Sequence, residues 1–192
     1  MYQDVNKPDV TTDDYFANRT ILTTTNAVVH RINAAVAERS PGETREYLTS
    51  HDEYQWYPPD KLLLKTGILI MMARNLNPDL GLCNRTHLRT VDLKDHIIHA
   101  TIMTEERKGQ HATYYFLPVQ PAFVMTINKA QGQTVQYLGL YLATPCFSHG
   151  QPYVALSRVC EKTRFNALIE NPELEEDDGV HTDNVVYRQI FD

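Results

Sequence analysis

Residues 20–42, TILTTTNAVVHRINAAVAERSPG, join a β-branched run to an amphipathic segment. The run at 20–25 is typical of a buried strand, and Asn26 follows where a helix N-cap belongs. Apolar residues then recur at three- and four-residue spacing from Val29 to Val36, until Pro41-Gly42 ends the pattern. The stretch predicts a strand–loop–helix unit whose loop lies at the carboxyl end of the strand, where open α/β sheets bind ligands.

Downstream of this stretch, the spacing of the apolar residues changes twice. Short strand-like runs, separated by Gly, Asn, Pro and Lys-Asp breaks, predict strands at Leu62–Leu64, Ile68–Met72, Thr86–Leu93, Ile97–Met103 and Ala112–Leu117. Beyond them, helix-compatible segments at 126–131 and 151–159 alternate with candidate strands at 135–142 and 164–169. We therefore predict a parallel α/β domain that is interrupted by a small β-barrel insert.

Four regions follow from this pattern. They are a polar lead-in at 1–18, the α/β domain at 19–60 with 118–170, the insert at 61–117 and an acidic tail at 171–192. The net charge is −6, but residues 170–192 hold eight of the 24 acids and only one of the 18 basic residues. The rest of the chain is close to neutral, so any contact with nucleic acid would come from placed residues and backbone amides rather than a broad basic field.

Composition argues against several classes of protein. No apolar run approaches the roughly 20 residues that a membrane span needs, and the first residues do not resemble a signal peptide. The three cysteines form no Cys-x-x-Cys pair, and the eight histidines show no metal-ligand spacing. We expect no metal site, no disulfide framework and a reducing compartment.

The segment Ile21–Asn26 allows two interpretations. It is a core strand with a capped helix, or its hydroxyls, amide and free helix N-terminal N–H groups bind a phosphate.

A second segment, residues 125–134, places six polar residues and Gly132 between an apolar lead and a strand. A core segment would not bury so many amides, because each unpaired one costs about 1–3 kcal/mol. A polar surface helix with a glycine stop is the alternative; the functional interpretation is a ligand-binding turn.

The third segment, residues 153–159, is a short helix with Arg158 near its C-terminal end. Arg158 either favours the helix dipole or acts as an arginine finger on a transferring phosphoryl group.

Four motifs in this order resemble the later motifs of the petite-integration-frequency (Pif) family of DNA helicases, in particular the group that includes Helitron transposon helicases. The motifs are ILTTTN (21–26), LKTGILIMMARNLNPDLGLCN (64–84), PAFVMTINKAQGQT (121–134) and FSHGQPYVALSRV (147–159). The resemblance covers roughly residues 19–169. It implies a superfamily-one motor that moves 5′ to 3′ on single-stranded DNA, with ATP bound between two RecA-like lobes. This chain would be the second RecA-like lobe with an inserted SH3-like barrel.

The resemblance also implies roles for individual residues. The DNA-binding positions would be Thr23, Asn26, Thr126, Asn128, Lys129 and Gln151. The nucleotide-binding positions would be Gln131, Gly132 and Arg158, with Arg158 as the catalytic arginine that reaches the γ-phosphate.

The sequence departs from the family pattern in four respects. No glycine precedes Lys-Thr or Lys-Ser, so the phosphate-cradling loop is missing, and no acidic pair follows an apolar strand to hold Mg²⁺. ATP and Mg²⁺ are therefore expected only with a complete motor, in which a first RecA-like lobe is supplied in cis or in trans. Gln120 stands where the family leads us to expect arginine, and Arg85 where it leads us to expect glycine.

Three hypotheses remain open at this point. The chain is the second lobe of a helicase, a non-catalytic module that binds single-stranded DNA or a protein, or an inactive transposon-derived remnant. All three predict no ATP hydrolysis by this chain alone. The family further implies a nuclear, or alternatively mitochondrial, location and roles in DNA repair, recombination and telomere maintenance.

Overall fold

The computed structural model describes residues 1–7, 12–48, 61–103, 107–115, 119–170, 173–174, 180–182 and 185. The helices are α1 (Asp13–Ala17), α2 (Asn26–Arg39) and α3 (Gln151–Leu156). The strands are β1 (Arg19–Thr23), β2 (Thr44–Leu48), β3 (Lys61–Lys65), β4 (Leu69–Met72), β5 (His87–Lys94), β6 (Ile97–Ile102), β7 (His111–Tyr115), β8 (Val119–Pro121), β9 (Val124–Thr126), β10 (Tyr137–Leu142), β11 (Phe165–Ile169), β12 (Glu173–Leu174) and β13 (Val180–His181).

The chain divides into two units. The first, called the parallel unit, comprises Met1, Asn18–Ile32 and Phe123–Asp192. The second, called the antiparallel unit, comprises Tyr2–Ala17 and Asn33–Ala122. The predicted parallel α/β region is thus confirmed in its coarse form, as a parallel sheet in a chain that also has antiparallel sheets. The β-barrel form of the insert and the four domain boundaries stay predictions.

The parallel unit is built on a four-stranded sheet in the order β11–β10–β1–β9, and every neighbouring pair is parallel. Its strands carry alternating apolar side chains whose inner members form one core. The fully or almost fully buried members of this core are Leu22, Met125, Ile127, Ala130, Leu138, Leu140, Leu142, Cys146 and Ala155. The strand predicted at 20–25 is β1, and Asn26, expected at the N-cap, is the first residue of α2.

The antiparallel unit contains a five-stranded sheet in the order β7–β6–β5–β4–β8 and the separate pair β2–β3. Period-two alternation is clear in β6, where Ile98, Ala100 and Ile102 are buried and the residues between them are half-buried. All four residues of β4 are buried. Among the described strands, the edge strands β7 and β8 do not pair with each other, so the SH3-like barrel stays part of the proposal below.

Pro41 and Gly42 end α2 as predicted, since the helix ends at Arg39. Gly42 has φ +111°, and a Cβ at this position would meet Thr66 Oγ1 at 2.6 Å and Thr66 O at 2.7 Å. Only glycine fits here, because the conformation is unfavourable for L-residues and the space is filled by backbone. The strand β2 that follows was not predicted from the sequence.

Within the predicted polar lead-in, residues 2–7 and 12–17 belong to the antiparallel unit, whereas Met1 and Asn18 belong to the parallel unit. Tyr15 and Phe16 of α1 are buried, Asp13 pairs with Arg89 at 2.7 Å, and Asp14 pairs with Lys108 at 2.6 Å. Asp13 and Asp14 are therefore ion-paired, and the two aromatic residues that follow them join the core. The acidic run 175–178 lies outside the described residues.

Two other expectations concern the chain as a whole. The cysteines Cys83, Cys146 and Cys160 form no disulfide. Within the described residues, no helix is long and apolar enough to cross a membrane.

Candidate nucleic-acid interface

The carboxyl ends of β1 and β9 meet at one edge of the parallel sheet. Thr23 and Thr126 are the last residues of these strands, and they pair directly in the parallel register. The polar segments 21–26 and 125–134, about 100 residues apart in sequence, thus become neighbours because parallel strands end on the same side. We call this region, residues 23–26, 126–132 and 143–144, the carboxyl edge.

Only part of the segment 23–26, at the end of β1, is accessible to a ligand. Thr23 is fully buried, and its hydroxyl has no hydrogen-bond partner among the described residues. The Thr24 hydroxyl lies 2.9 Å from the Thr144 hydroxyl and ties the turn after β1 to the turn after β10. Asn26, in contrast, is exposed at the start of α2. The side chains of Asn26 and the free N–H groups of the first helical turn are the accessible polar groups here.

The motif after β9 is a single 3₁₀ turn rather than the predicted α-helical segment. Ile127–Ala130 forms this turn, and Ile127 and Ala130 anchor it in the core. The anchoring leaves Asn128 exposed and Lys129 half-buried, while Thr126 is half-buried at the end of β9. The apolar–polar–polar–apolar pattern of these four residues explains the geometry, because a 3₁₀ turn brings residues three apart onto the same side.

Gln131 and Gly132 continue the same turn and are both exposed. Gly132 has φ +85°, a left-handed conformation that glycine adopts without strain. The space around a Cβ at Gly132 is empty within 4 Å, so the glycine serves the turn and leaves the backbone accessible.

The electrostatics of the edge are mildly positive. Partial burial, and secondarily the positive charge of Lys129, lower the pKa of His30. His30 is in the second turn of α2, so Lys129 lies close enough to α2 to act on its first half. A neutral His30 leaves Lys129 as the positive group of this part of the edge at pH 7.

Gln151 has a positioning role in the structure. Its side chain is buried, and its Oε1 accepts hydrogen bonds from the backbone N–H groups of Phe147 (3.1 Å) and Ser148 (3.3 Å). The amide therefore orders the turn that leads into α3. The DNA-binding role predicted for Gln151 remains a prediction, and these contacts favour an indirect one.

Arg158 follows α3 and is bound to its own unit by three hydrogen bonds. Its Nε donates to Val154 O (3.0 Å), one terminal nitrogen to Gln133 O (3.1 Å) and the other to Ser157 Oγ (2.9 Å). The backbone adds to this link, since Val135 N donates to Arg158 O at 2.9 Å. The guanidinium thus joins the end of α3 to the turn that contains Gln131 and Gly132.

These bonds bring the segments 125–134 and 153–159 together. The 3₁₀ turn and α3 share one core through Ile127, Ala130 and Ala155. Sequence reasoning did not identify Thr144 or Gln133 as members of the site. Their partners lie 120 and 25 residues away, and no local pattern signals such contacts.

The site contains no evident metal centre. Within the described residues, no group of three or more His, Cys, Asp or Glu side chains could hold a metal ion. A nucleotide phosphate would find Lys129, Arg158 and the backbone of the 131–132 turn as donors, but no phosphate-cradling loop in this sequence.

Comparisons with known proteins place this geometry in context. The family model described as "DNA helicase Pif1, 2B domain" matches residues 48–93. The ATP-dependent DNA helicase PIF1 of Homo sapiens is 33% identical over 118 residues, which cover 53% of this chain and 18% of the relative. The Danio rerio protein of the same name is 32% identical with the same coverage. A Pif1 helicase from Bacteroides, solved in complex with ADP-AlF3 and single-stranded DNA, superposes with a TM-score of 0.69 at 18% identity, covering 98% of this chain and 47% of that one.

The chain matches the C-terminal part of the Pif1 helicases. The predicted resemblance to the Pif family is thereby confirmed. The chain spans only 18% of the length of the curated PIF1 relatives. The structural likeness, at 18% identity, concerns the fold.

Proposed function

We propose that this chain is the second motor lobe of an ATP-dependent 5′ to 3′ DNA helicase of the Pif1 type, and that it binds single-stranded DNA at its carboxyl edge. In this proposal the parallel unit is the RecA-like lobe, and the antiparallel unit contains the SH3-like insert. The bound DNA of the Bacteroides relative supports single-stranded DNA as the ligand.

The observation that carries the proposal is the meeting of the polar motifs at one end of the parallel sheet. Thr23 and Thr126 pair at the carboxyl ends of β1 and β9, and Asn128 and Lys129 follow directly. Asn26, Asn128 and the backbone of Gly132 offer exposed hydrogen-bond donors, and Lys129 offers a positive charge. Donors of this kind suit the sugar-phosphate backbone, which a sequence-independent motor must grip.

ATP would be bound jointly with a first RecA-like lobe. Arg158 is the candidate finger, but its three hydrogen bonds hold it within the parallel unit. We infer that it exchanges at least one of these bonds for a phosphate oxygen when the first lobe supplies the nucleotide. Mg²⁺ belongs to the same proposal, held by acidic residues of that lobe.

The surface around α3 supports a missing partner. Phe147, Tyr153 and Leu156 are large apolar side chains on α3 and the turn before it, and they are 60%, 75% and 50% exposed. Exposed apolar groups this close in the chain favour an interface. A first lobe in cis or in trans would cover them.

Binding of a labelled oligo-dT, measured by fluorescence anisotropy across a salt series, tests the DNA proposal. Lys129→Gln removes one positive charge from the carboxyl edge. Lys162→Gln is the matched control, because it removes one exposed charge just before β11, at the opposite end of the same sheet. We expect Lys129→Gln alone to reduce the slope of log K against log salt by about 0.7, the value for one phosphate contact on a single strand. Equal slopes for the two variants would argue against the carboxyl edge.

ATP turnover separates the motor from the alternative of a non-catalytic binding module. We expect no ATP hydrolysis by this chain alone, and activity that depends on Arg158 when a first lobe is added. A module predicts that Arg158→Ala changes nothing beyond stability. Intrinsic turnover by the chain alone that is abolished by Arg158→Ala would contradict the missing-lobe account. The nuclear or mitochondrial location remains a family-based prediction.

A further inference from the structure

We propose that Arg85 is a second contact for the phosphate backbone of single-stranded nucleic acid, presented by a rigid loop of the antiparallel unit. The inference rests on the proposed DNA-binding function and extends it to a part of the chain that the carboxyl edge does not include.

The backbone of Arg85 has an unusual conformation. Its φ is +70°, and it is the sole non-glycine residue with positive φ among the described residues. L-residues with a side chain are disfavoured in this region because Cβ approaches the carbonyl oxygen. Glycine would occupy the position without this strain.

The surrounding loop holds this conformation in place. We call residues 73–86 the 73–86 loop. The N–H of Arg85 donates to Met72 O at 2.8 Å, and Thr86 N donates to Cys83 O at 3.0 Å. The Thr86 hydroxyl accepts from Cys83 N at 3.1 Å and donates to Gly81 O at 2.9 Å. Arg85 is therefore fixed by its neighbours and does not adjust to relieve the strain.

A second brace joins the two ends of the loop. Asn75 Oδ1 accepts a hydrogen bond from Asn84 N at 2.7 Å, directly before Arg85. The side chain of Thr86, directly after it, is buried. The residues on both sides of Arg85 are thus anchored, and Arg85 is exposed between them.

The side chain of Arg85 also supports the proposal. Within the described residues, the Arg85 guanidinium makes no hydrogen bond or ion pair, whereas those of Arg45, Arg89 and Arg158 are all engaged. Packing does not explain why a strained position carries this residue. Strained residues that the surroundings over-determine cluster at binding sites. An exposed, unengaged guanidinium on a fixed backbone is suited to a phosphate group, which it binds with two donors.

The test compares Arg85→Gly, Arg85→Lys and Lys94→Gln with the unmodified chain. Arg85→Gly removes both the charge and the strain, while Arg85→Lys keeps the charge. Lys94→Gln is the matched control, because Lys94 is an exposed cation at the far end of β5 from Arg85. Oligo-dT anisotropy across a salt series reports binding, and thermal unfolding reports stability.

We expect Arg85→Gly to weaken binding about fivefold near 0.1 M salt and to reduce the salt slope by about 0.7, as for one lost phosphate contact. The same variant should unfold at a temperature higher by on the order of 2 °C, because the left-handed strain is gone. Arg85→Lys should keep the salt slope but recover only part of the affinity, because an ammonium supplies the charge without the two parallel donors. Lys94→Gln should leave the slope unchanged.

Two results would overturn the inference: unchanged affinity in Arg85→Gly, or an equal loss in Lys94→Gln. If the unmodified chain binds and Lys129→Gln is impaired while Arg85→Gly is not, this inference fails and the proposed function stands. If the unmodified chain does not bind, both fail.

Discussion

The two units of this protein distribute their polar side chains in different ways. In the parallel sheet, Thr23 and Thr126 end their strands at the same edge, and the polar turns that follow gather there. In the antiparallel sheet, neighbouring strands run in opposite directions, and polar groups lie along a face instead. His99 with Thr113 (2.6 Å) and His111 with Thr101 (3.3 Å) form such a ladder across β6 and β7. Parallel strands therefore bring polar side chains together at one edge of the sheet, whereas antiparallel strands distribute them along a face.

The family match and the candidate site lie in different units of the chain. The Pif1 2B family model matches residues 48–93, which belong to the antiparallel unit. Lys129, Arg158 and the other residues with predicted roles belong to the parallel unit. The family match therefore does not test the candidate site, which needs experiments of its own.

The largest expected effects come from shortening one core side chain in each unit. Leu138→Ala in β10 and Leu88→Ala in β5 each remove a fully buried side chain, and each should lower the free energy of unfolding by about 2–5 kcal/mol. Urea denaturation with amide hydrogen exchange would show whether the loss of protection stays within the mutated unit. Leu168→Ala, at an exposed position of β11, is the control and should change stability by less than about 0.5 kcal/mol. Equal loss of protection in both units would show that they unfold as one.

Acid should destabilise the antiparallel unit through His87. Its Nε2 is buried without a partner among the described residues, although the residue as a whole is half-buried, and burial lowers the pKa of His87 to about 4. The folded state thus resists protonation, so this contribution to stability is complete above pH 6.5 and is lost as pH falls towards 4. The loss should total on the order of 3 kcal/mol.

Urea denaturation at several pH values checks this prediction. His87→Gln should flatten the pH dependence between 6.5 and 4. His96→Gln, which changes an exposed histidine of the same unit, should leave it as it is. An identical slope in the unmodified chain and His87→Gln would assign the acid sensitivity to other groups.

A threonine-to-valine change should have different effects in the two sheets. The buried Thr90 hydroxyl of β5 donates to Lys65 O at 2.6 Å and accepts from Ile68 N at 3.0 Å. Thr90→Val leaves both groups unpaired and should cost about 1–3 kcal/mol. The Thr23 hydroxyl has no such partner among the described residues, so Thr23→Val should be neutral or slightly stabilising. Thermal unfolding measures both, and a large loss in Thr23→Val would reveal a contact that the structure does not contain.

The strand–loop–helix start was predictable because its signals are local. The β-branched run before Asn26 and the Pro41-Gly42 stop gave β1 and α2 to within one or two residues. The strands of the antiparallel unit were also predicted, apart from β2 and β8. The charged Thr44–Leu48 does not alternate clearly, and Val119–Pro121 is only three residues long.

Side-chain roles were less predictable because they depend on distant partners. The DNA contact predicted for Gln151 stays a prediction, while the hydrogen bonds by which its amide oxygen orders the turn before α3 were not foreseen. The ion pair of Asp13 in the predicted lead-in was not foreseen either, because its partner Arg89 lies 76 residues away in sequence. Arg85 was recognised as unusual from its sequence position, but its left-handed backbone emerged only from the structure.

Hydrogen exchange of the whole chain with and without saturating oligo-dT tests the central claim most directly. We predict slower exchange in the turns after β1 and β9, at residues 23–29 and 126–132, and in the 73–86 loop, with no change at 162–164 before β11. Protection at 162–164 without protection at 126–132 would contradict the carboxyl edge as the DNA-binding site.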